Sequence, residues 1–333
     1  MNTKVSICVA QYNRADRILE SIGSLLHQNY DNYEVIVVND GSSDANTQIA
    51  LESIDDPRLT VIFQENSGFV SAMNHAISLA TGEYIAIHGA GDVSLPERIK
   101  KQAAFLDQHP EHVLVSCKYS DVPVGEDAMM DESQACEYDT QSGEVEESDL
   151  SYKPSPFGHG EVMYRRDAFY QVGQYRRFFK FAQDKDLWLR MIKVGRFYIL
   201  NDNLYRRGLF KKDGIATDLE KLYMQKLLMA FAVQIYETKM QFGFDLLERY
   251  GDQAALLRKP SKKVAKFCTV TAYRQFMNEN LESARLFCQR SRRERLSLGN
   301  LVVTLILTLS RNTFLRTLIL RGMLRIKHIK SAC

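Results

Sequence analysis

The chain has 333 residues, 45% of them hydrophobic and 25% charged, with a formal net charge of +2. That balance excludes global disorder and leaves room for one large α/β domain plus an appendage. Charge is unevenly placed, since acidic residues crowd Asp121 to Asp149 and every charged residue after Glu294 is basic.

The first half alternates strand and helix patterns. "VSICVA" (Val5 to Ala10) reads as a buried strand, and Ile18, Leu19, Ile22, Leu25 and Leu26 recur at helical spacing after it. "YEVIVVND" (Tyr33 to Asp40) is a second strand, cut off by "DGSSD". "LTVIF" (Leu59 to Phe63) is a third, "GFVSAMNHAISLA" a helix, and "YIAIH" (Tyr84 to His88) a fourth strand. Pro96 opens a helix through Leu106, and "HVLVSC" (His112 to Cys117) is a fifth strand. From Lys118 to Phe157 the periodicity dissolves, which predicts a long, partly mobile acidic excursion over the surface. "EVMYRR" restores the pattern, a helix carries "DKDLWLRMIKV" (Asp184 to Val194), and "RFYIL" is the last strand.

Beyond Thr217 the pattern is helical without strands, predicting a helical domain over 218–295 with a hint of stacked tetratricopeptide-like hairpins but no clear repeat. A basic, apolar tail over 296–333 follows. Arg311 and Arg316 near its middle disfavour a membrane span, each costing about 2.5–3.5 kcal/mol. The cations do not gather on one helical face, so the expectations are peripheral contact with an anionic membrane surface, packing within the second domain, or an oligomer contact. Six cysteines without CxxC spacing suggest neither a zinc site nor a disulfide framework, and so a reducing compartment. With an apolar run near the start too short for a signal peptide, the expected location is cytoplasmic, with a peripheral place on the inner face of the membrane as the tail's alternative.

Ligands of open parallel sheets bind beyond the carboxyl ends of the strands. Here those ends carry Gln11, Tyr12, Asn13 and Arg14; Asn39 and Asp40; Asn66, Ser67 and Gly68; and His88 to Asp92. Singly each has a plainer role, Asn13 as a helix cap for instance, but together they predict one floor. With neither GxGxxG nor GxxxxGK[ST] present, dinucleotide and P-loop readings lose their main support.

"VSICVAQYNRADRILESIGSLLHQNYDNYEVIVVNDGSSD", "NSGFVSAMNHAISLATGEYIAIHGAGDVSLPERI" and "FAQDKDLWLR", taken as an ordered series, resemble the inverting family 2 glycosyltransferases. The resemblance covers roughly Val5 to Thr217 and implies a GT-A fold over 1–217, a mostly parallel sheet flanked by helices, with the α-helical C-terminal domain lying outside it. It implies transfer of a sugar from a nucleotide-diphosphate donor, with UDP favoured, to an acceptor hydroxyl on a saccharide or a lipid carrier, as in bacterial surface polysaccharide or glycolipid assembly. It assigns Val9, Ala10, Gln11, Tyr12, Arg14, Asp40, Asn66, Gly68, Asn74, His88, Gly89, Ala90, Gly91 and Asp92 to the nucleotide sugar. Asp40 would accept from a ring N–H of the base, with Tyr12 against its face. Asp184 stands where the family has its catalytic base, with Asp186 next in line and His159 on the acceptor side.

The family's Asp-x-Asp metal motif is depleted. Aligned on Ser94, Pro96 and Arg98, the two acidic positions are Gly89 and Gly91, and Asp92 alone remains as a metal ligand. A second departure puts Gly208 where a histidine is usual, within "LYRRGLFKKDG". The residues leave two ways open: a divalent cation, Mg²⁺ or Mn²⁺, held thinly, or transfer without metal, with Arg206, Arg207 or Lys211 on the diphosphate. The small glycines also suggest room for the diphosphate against the backbone. The alternative functions are a nucleotide-sugar-binding protein without chemistry and, third, a nucleotidyltransferase. Nothing indicates nucleic acid, and the oligomeric state is not legible.

Overall fold

The periodic segments fold as an α/β unit followed by a helical one, Met1–Leu219 and Glu220–Cys333. The structure, a computed structural model, describes residues 2–125, 128–137, 140–151, 155–210, 218–310, 312 and 316–317. In chain order the first unit contains β1 (Val5–Gln11), α1 (Ala15–Leu26), β2 (Tyr33–Asp40), α2 (Ala45–Glu52), β3 (Leu59–Gln64), α3 (Phe69–Leu79), β4 (Tyr84–Gly89), β5 (Val93–Ser94) and α4 (Arg98–Gln108). Then come β6 (His112–Pro123), β7 (Cys136–Glu137), β8 (Gly143–Val145), α5 (Glu147–Ser151), β9 (Met163–Arg165), α6 (Arg166–Gln171), α7 (Gln183–Met191) and β10 (Arg196–Leu209).

The strands form one sheet in the order β3-β2-β1-β4-β9-β6-β10-β5, with β7 on β6 and β8 on β10. Strands β3, β2, β1 and β4 run parallel, as do β6 and β10, and short β9 lies antiparallel between the two groups. Helices cover both faces of β1 and β2, which explains their unbroken apolar runs: Val5, Ile7, Cys8 and Val9 have no exposed surface. In α1, Ile18, Ile22 and Leu25 pack inward at helical spacing while Leu19 stays exposed.

Two expectations are corrected. The fourth helix starts at Arg98 rather than Pro96, because Leu95 donates to Leu204 O and Pro96 O accepts from Asn29, tying the turn to its neighbours before the helix can begin. The stretch 118–157 is not simply a surface excursion. β6 runs on through Tyr119, Ser120, Asp121 and Val122, paired with β10, and Val122 and Leu150 are fully buried. Its alternation was hidden by polar residues, Ser120 and Asp121, that are themselves buried and paired with side chains of β10.

Arg98 is the anchor of this end of the sheet. Fully buried, it donates to Ser94 Oγ (2.8 Å), Ile87 O (2.7 Å), Val162 O (3.2 Å) and Gln102 Oε1 (3.2 Å), with its guanidinium 4.9 Å from the centre of the Tyr205 ring. It thus fixes β4, β5, β9's approach and β10 relative to one another.

The second unit begins with α8 (Leu219–Phe242) and α9 (Leu246–Tyr250), then α10 (Lys262–Met277), α11 (Leu281–Glu294) and α12 (Leu298–Leu309). A buried polar chain locks the last three: Ser291 Oγ donates to Ala265 O (2.9 Å) and pairs with Thr269 Oγ1 (2.7 Å), while Asn300 Nδ2 donates to Ser291 Oγ (3.2 Å) and Arg295 O (2.6 Å). Among the described residues no helix is long and apolar enough to cross a membrane.

Replacing Arg98 by Met takes the donor from Ile87 O and the Ser94 hydroxyl, while Val162 O keeps its bond from Ile87 N, at an expected cost of about 1–3 kcal/mol for each buried group left unsatisfied. Urea denaturation of the Arg98→Met variant measures this; a loss under 1 kcal/mol would mean the anchor is dispensable.

Candidate active site

The pairing register brings the strand ends level, with Gln11 beside Asn39, Ala10 beside Gly89, and Asp40 beside Gln64. Asp40 then locks two loops together. Its Oδ1 accepts from Ser67 N (2.9 Å), Gln64 Nε2 (2.8 Å) and Ser67 Oγ (3.2 Å), and its Oδ2 accepts from Gly68 N (2.9 Å). Asn66 Nδ2 donates to the Asp40 carbonyl at 2.9 Å. A carboxylate has about four acceptor directions, so one remains on Oδ2.

After β1 the chain turns through two successive left-handed residues, Asn13 (φ 56°) and Arg14 (φ 64°). Such conformations cost of order 1–3 kcal/mol each and persist only where the surroundings impose them. Here Asn13 N donates to Ser42 Oγ (2.7 Å) and Asn13 Oδ1 accepts from Ser43 N (2.9 Å), while Gln11 Nε2 donates to Asn13 O (2.6 Å). Asn13 therefore clamps the 42–44 turn and does not cap α1, whose capping position is Arg14. Arg14 Nη1 donates to Ala90 O (2.6 Å) with its guanidinium 3.9 Å from the Phe210 ring centre. Tyr12 is 47% exposed, so it is not core packing and its ring lies at the surface beside these loops.

The HGAGD segment is filled by its own chain. Asp92 folds back so that Oδ2 accepts from Tyr205 Oη (2.7 Å) and Oδ1 from Gly208 N (2.9 Å), and the same Tyr205 hydroxyl accepts from Gly89 N (2.9 Å). A Cβ on Gly89 would overlap Asp92 Oδ2. Gly91, at φ +89°, is overlain by Phe210, whose ring carbon would lie 2.8 Å from a Cβ there. The expectation that the glycines leave room for a diphosphate is corrected: the Asp92 carboxylate and the Phe210 ring already take that space. Burial raises the Asp92 pKa to about 6, against the pull of Tyr205, Gly208, Arg14 and Arg207.

On the other side, α7 starts after Ala182, again left-handed at φ 60°, which sets Asp184 in the first helical turn. Asp184 is half-buried, and its Oδ1 accepts from Lys185 N (2.7 Å). His159 pairs through Nε2 with Tyr175 Oη (2.7 Å), its ring lying 5.4 Å from Phe69 and 5.9 Å from Trp188. Burial lowers the His159 pKa while the Asp184 charge raises it, so the two groups sense each other. Next to His159, Gly160 lies against the Tyr205 hydroxyl, which joins the Asp184 side to the HGAGD side.

Other expected site residues serve the scaffold. Asp186 is almost wholly buried and pairs with Arg176 and Arg190, both its oxygens accepting, so it is not a reserve base. Asn74 spends its amide on Tyr175 O (2.9 Å) and Tyr175 N (3.3 Å). His88 is 1% exposed and its Nε2 faces Ser21 Oγ (3.0 Å) and Asp92 O (3.2 Å). Burial and the Arg98 charge lower its pKa to about 3, leaving a neutral structural imidazole. Val9 is fully buried and contributes backbone only. Arg207 is bidentate to Asp121 (2.6 and 2.8 Å), and Arg206 pairs with Glu132 (3.2 Å), so neither offers an uncommitted charge to a diphosphate. Lys211 lies outside the described residues.

Sequence reasoning missed Tyr205, Phe210 and Glu161. Glu161 is 1% exposed, accepts from Gly158 N, and burial raises its pKa to about 7 against the pull of Gly158, Arg207 and Arg98. The signal for it was the spacing of Gly158 and Gly160 around His159, small residues that let a carboxylate and a phenol close in.

Known proteins resemble this chain in sequence and fold. The model of Glycosyl transferase family 2 matches residues 6–173, about half of the chain. EpsE of Bacillus subtilis, which bears the name glycosyltransferase, is 32% identical over 209 residues, covering 61% of this chain and 72% of its own. An uncharacterized glycosyltransferase of Rickettsia typhi is 28% identical over 290 residues, covering 80% and 87%. Among solved structures, Staphylococcus aureus TarS 1–349 in complex with UDP-GlcNAc superposes with a TM-score of 0.57 at 18% identity, covering 88% of this chain and 92% of that one. Its UDP complex gives 0.54 at 19% identity, covering 81% and 79%. The fold is GT-A, a mixed and mostly parallel sheet with flanking helices, followed by a helical region. The chain belongs to Glycosyl transferase family 2 and is a glycosyltransferase. A binding protein without chemistry finds no support.

The donors present do not fit the divalent cation that the family motif implies. Of its three acidic positions only Asp92 keeps a carboxylate, and both of its oxygens are held by Tyr205 and Gly208 in a buried setting. Mg²⁺ demands near-ideal octahedral oxygen geometry, which this group does not present.

Glu161 titrates with a folded-state pKa of about 7 against an ordinary 4.5. Between those values the native state holds a proton that the unfolded chain has lost, so its contribution to stability falls as pH rises through this window. Urea midpoints measured from pH 4.5 to 8 are expected to decline, and Glu161→Gln to flatten the decline; an equal slope in both proteins would assign the titration elsewhere.

Proposed function

We propose that this glycosyltransferase moves a sugar from a UDP-linked donor to an acceptor hydroxyl with inversion, using Asp184 as the general base. The observation that carries the reading is the placement of Asp184. A left-handed Ala182 fixes it at the start of α7, half-buried with its charge acting on the His159 ring, while the neighbouring carboxylate Asp186 is held by two arginines.

In the step proposed, Asp184 takes the proton of the acceptor hydroxyl as that oxygen attacks the anomeric carbon and the bond to the diphosphate breaks. His159 orients the acceptor side. Asp40 accepts from a ring N–H of the base through its remaining Oδ2 direction, with Tyr12 against the base. The TarS complexes with UDP and UDP-GlcNAc support a uridine donor. Because Asp92 makes a poor metal site, we infer transfer without an obligatory cation. Arg14, at the floor between Ala90 and Phe210, is the described cation best placed to offset leaving-group charge. At an effective dielectric of 20, unit charges 4 Å apart attract by about 4 kcal/mol.

Asp184→Asn is expected to lower the rate of UDP release by about 10²–10⁴-fold with UDP affinity unchanged, read by coupled assay and calorimetry. Full activity in that variant would move the base elsewhere. In the wild-type chain, turnover is expected to survive EDTA; abolition by chelator with rescue by Mn²⁺ would overturn the metal-independent step alone.

We also infer a lipid-linked acceptor at an anionic membrane, as in assembly of bacterial surface polysaccharide. Helix α12 keeps Val303 and Leu307 buried but exposes Leu298, Leu301, Val302, Leu305 and Leu309, an apolar face next to the basic tail. Apolar area and positive charge act together at such surfaces. Co-sedimentation with phosphatidylglycerol liposomes is expected to be lost in the double variant Leu301→Glu, Leu305→Glu; equal sedimentation of both proteins would remove the membrane reading.

A further inference from the structure

At the end of the sheet opposite the strand termini that carry the candidate active site, "HPEH" (His109 to His112) links α4 to β6. His112 N donates to His109 O at 3.0 Å, and this turn folds three potential ligands toward one point. His109 Nδ1 lies 3.5 Å and His112 Nδ1 3.2 Å from the same oxygen, Glu111 Oε1. All three ligating atoms fall within 4.8 Å of one another. Zinc bonds to nitrogen and oxygen are about 2.0–2.2 Å, so ligand atoms around a tetrahedral ion lie roughly 3.3 Å apart. Two of the observed separations bracket that value.

A second observation is independent of this clustering. The His112 side chain is 3% exposed, and its Nε2 meets Glu144 Oε1 at 2.9 Å. An ionised carboxylate only accepts, so Nε2 carries the proton, and in the neutral ring Nδ1 is then a lone pair. That Nδ1 is buried without a hydrogen-bond partner and faces Glu111 Oε1, another acceptor. Two acceptors held 3.2 Å apart repel unless a cation lies between them. Glu144 on Nε2 is the arrangement by which a carboxylate fixes the tautomer and raises the basicity of a metal-binding imidazole. The rings are also oriented: His109 stacks on Phe105 (4.4 Å between centroids), Phe105 stacks on Tyr198 (4.5 Å), and His112 meets Phe105 edge-on (5.1 Å).

We propose that His109, Glu111 and His112 form a zinc site, with Glu144 as the orienting partner of His112. The mixed imidazole and carboxylate set selects zinc over Mg²⁺ or Ca²⁺, which take oxygen ligands. His109 and Glu111 are each nearly half exposed, 43% and 47%, so the Glu111 side chain can adjust to close the set and a water can complete it. Bound there, the ion would staple the end of α4 to β6 and, through Glu144, to β8 and its partner β10. Its role is structural, remote from the transfer chemistry.

The test uses the full chain without a histidine tag, stripped by chelator and desalted, then titrated with ZnCl₂ by calorimetry and with Co²⁺ by absorbance. One equivalent per chain is expected, with a Co²⁺ spectrum of nitrogen and oxygen ligands. His109→Gln, at an exposed position, and His112→Gln are each expected to weaken binding tenfold or more, and Glu144→Gln by about 10–100-fold. Transferase activity of His109→Gln is expected to equal that of the wild type. No uptake would mean that a proton alone bridges His112 and Glu111. Uptake unchanged in both histidine variants, or a thiolate charge-transfer band from the exposed Cys136, would place the metal elsewhere; each of these results overturns the proposal.

Discussion

The site depends on one carboxylate folded into the space of a missing side chain. Asp92 turns back over Gly89, receives the Tyr205 hydroxyl and the Gly208 amide, and so ties the end of β4 to β10 across the sheet. An aspartate at position 89 could not coexist with this, since two carboxylates would share one buried hollow and one would be forced to stay protonated. Glycine at 89 and the inward fold of Asp92 are therefore one structural arrangement. Gly91 completes it by accepting both a left-handed backbone and the Phe210 ring above it. Its own amide and carbonyl are taken up by Ser21 and Arg17 of α1.

The same constraint explains the acidic stretch after β6. Buried Asp92 and Glu161 leave the neighbourhood with anionic potential, and Arg207 lies close enough to lower the pKa of both. Arg207 is in turn held by Asp121 and rests 4.8 Å from the centre of the Tyr119 ring, while Arg206 pairs with Glu132. Charge that looked free to meet a phosphate is thus balanced within the sheet. The basic segment of β10 and the acids of the preceding excursion are complementary halves of one surface.

Much of the fold was legible because strands and helices write their periods locally. β1 to β4 and the helices between them follow directly from apolar spacing, and the floor follows from where those strands end. Asp184 was singled out by the family resemblance rather than by periodicity, and the structure places it in the first turn of α7. What escaped detection was settled by partners far along the chain: His88 by Ser21, Arg207 by Asp121, Asn74 by Tyr175. Asp186 could have been assigned from the sequence, because residues two apart on a helix point to different faces, so only one of Asp184 and Asp186 can face a common cleft. The extension of β6 was hidden because its polar residues alternate against polar residues of β10, which erases the hydrophobic signal.

The N-terminus of α3 connects the two halves of the proposed chemistry. Gly68, its capping residue, is held by the Asp40 carboxylate, and Phe69, one residue on, touches the ring of His159. About one and a half turns along the same helix, Asn74 grips the backbone of Tyr175, whose hydroxyl holds His159. The two sides of the proposed site, Asp40 and His159, are therefore positioned from one helix. The loops that carry these groups contain left-handed residues at Asn13, Arg14 and Ala182, each imposed rather than intrinsically preferred. These conformations persist because hydrogen bonds from neighbouring loops and strands hold them, as Ser42 and Ser43 hold Asn13 and Ala90 holds Arg14, and reacting groups placed this way stay in register.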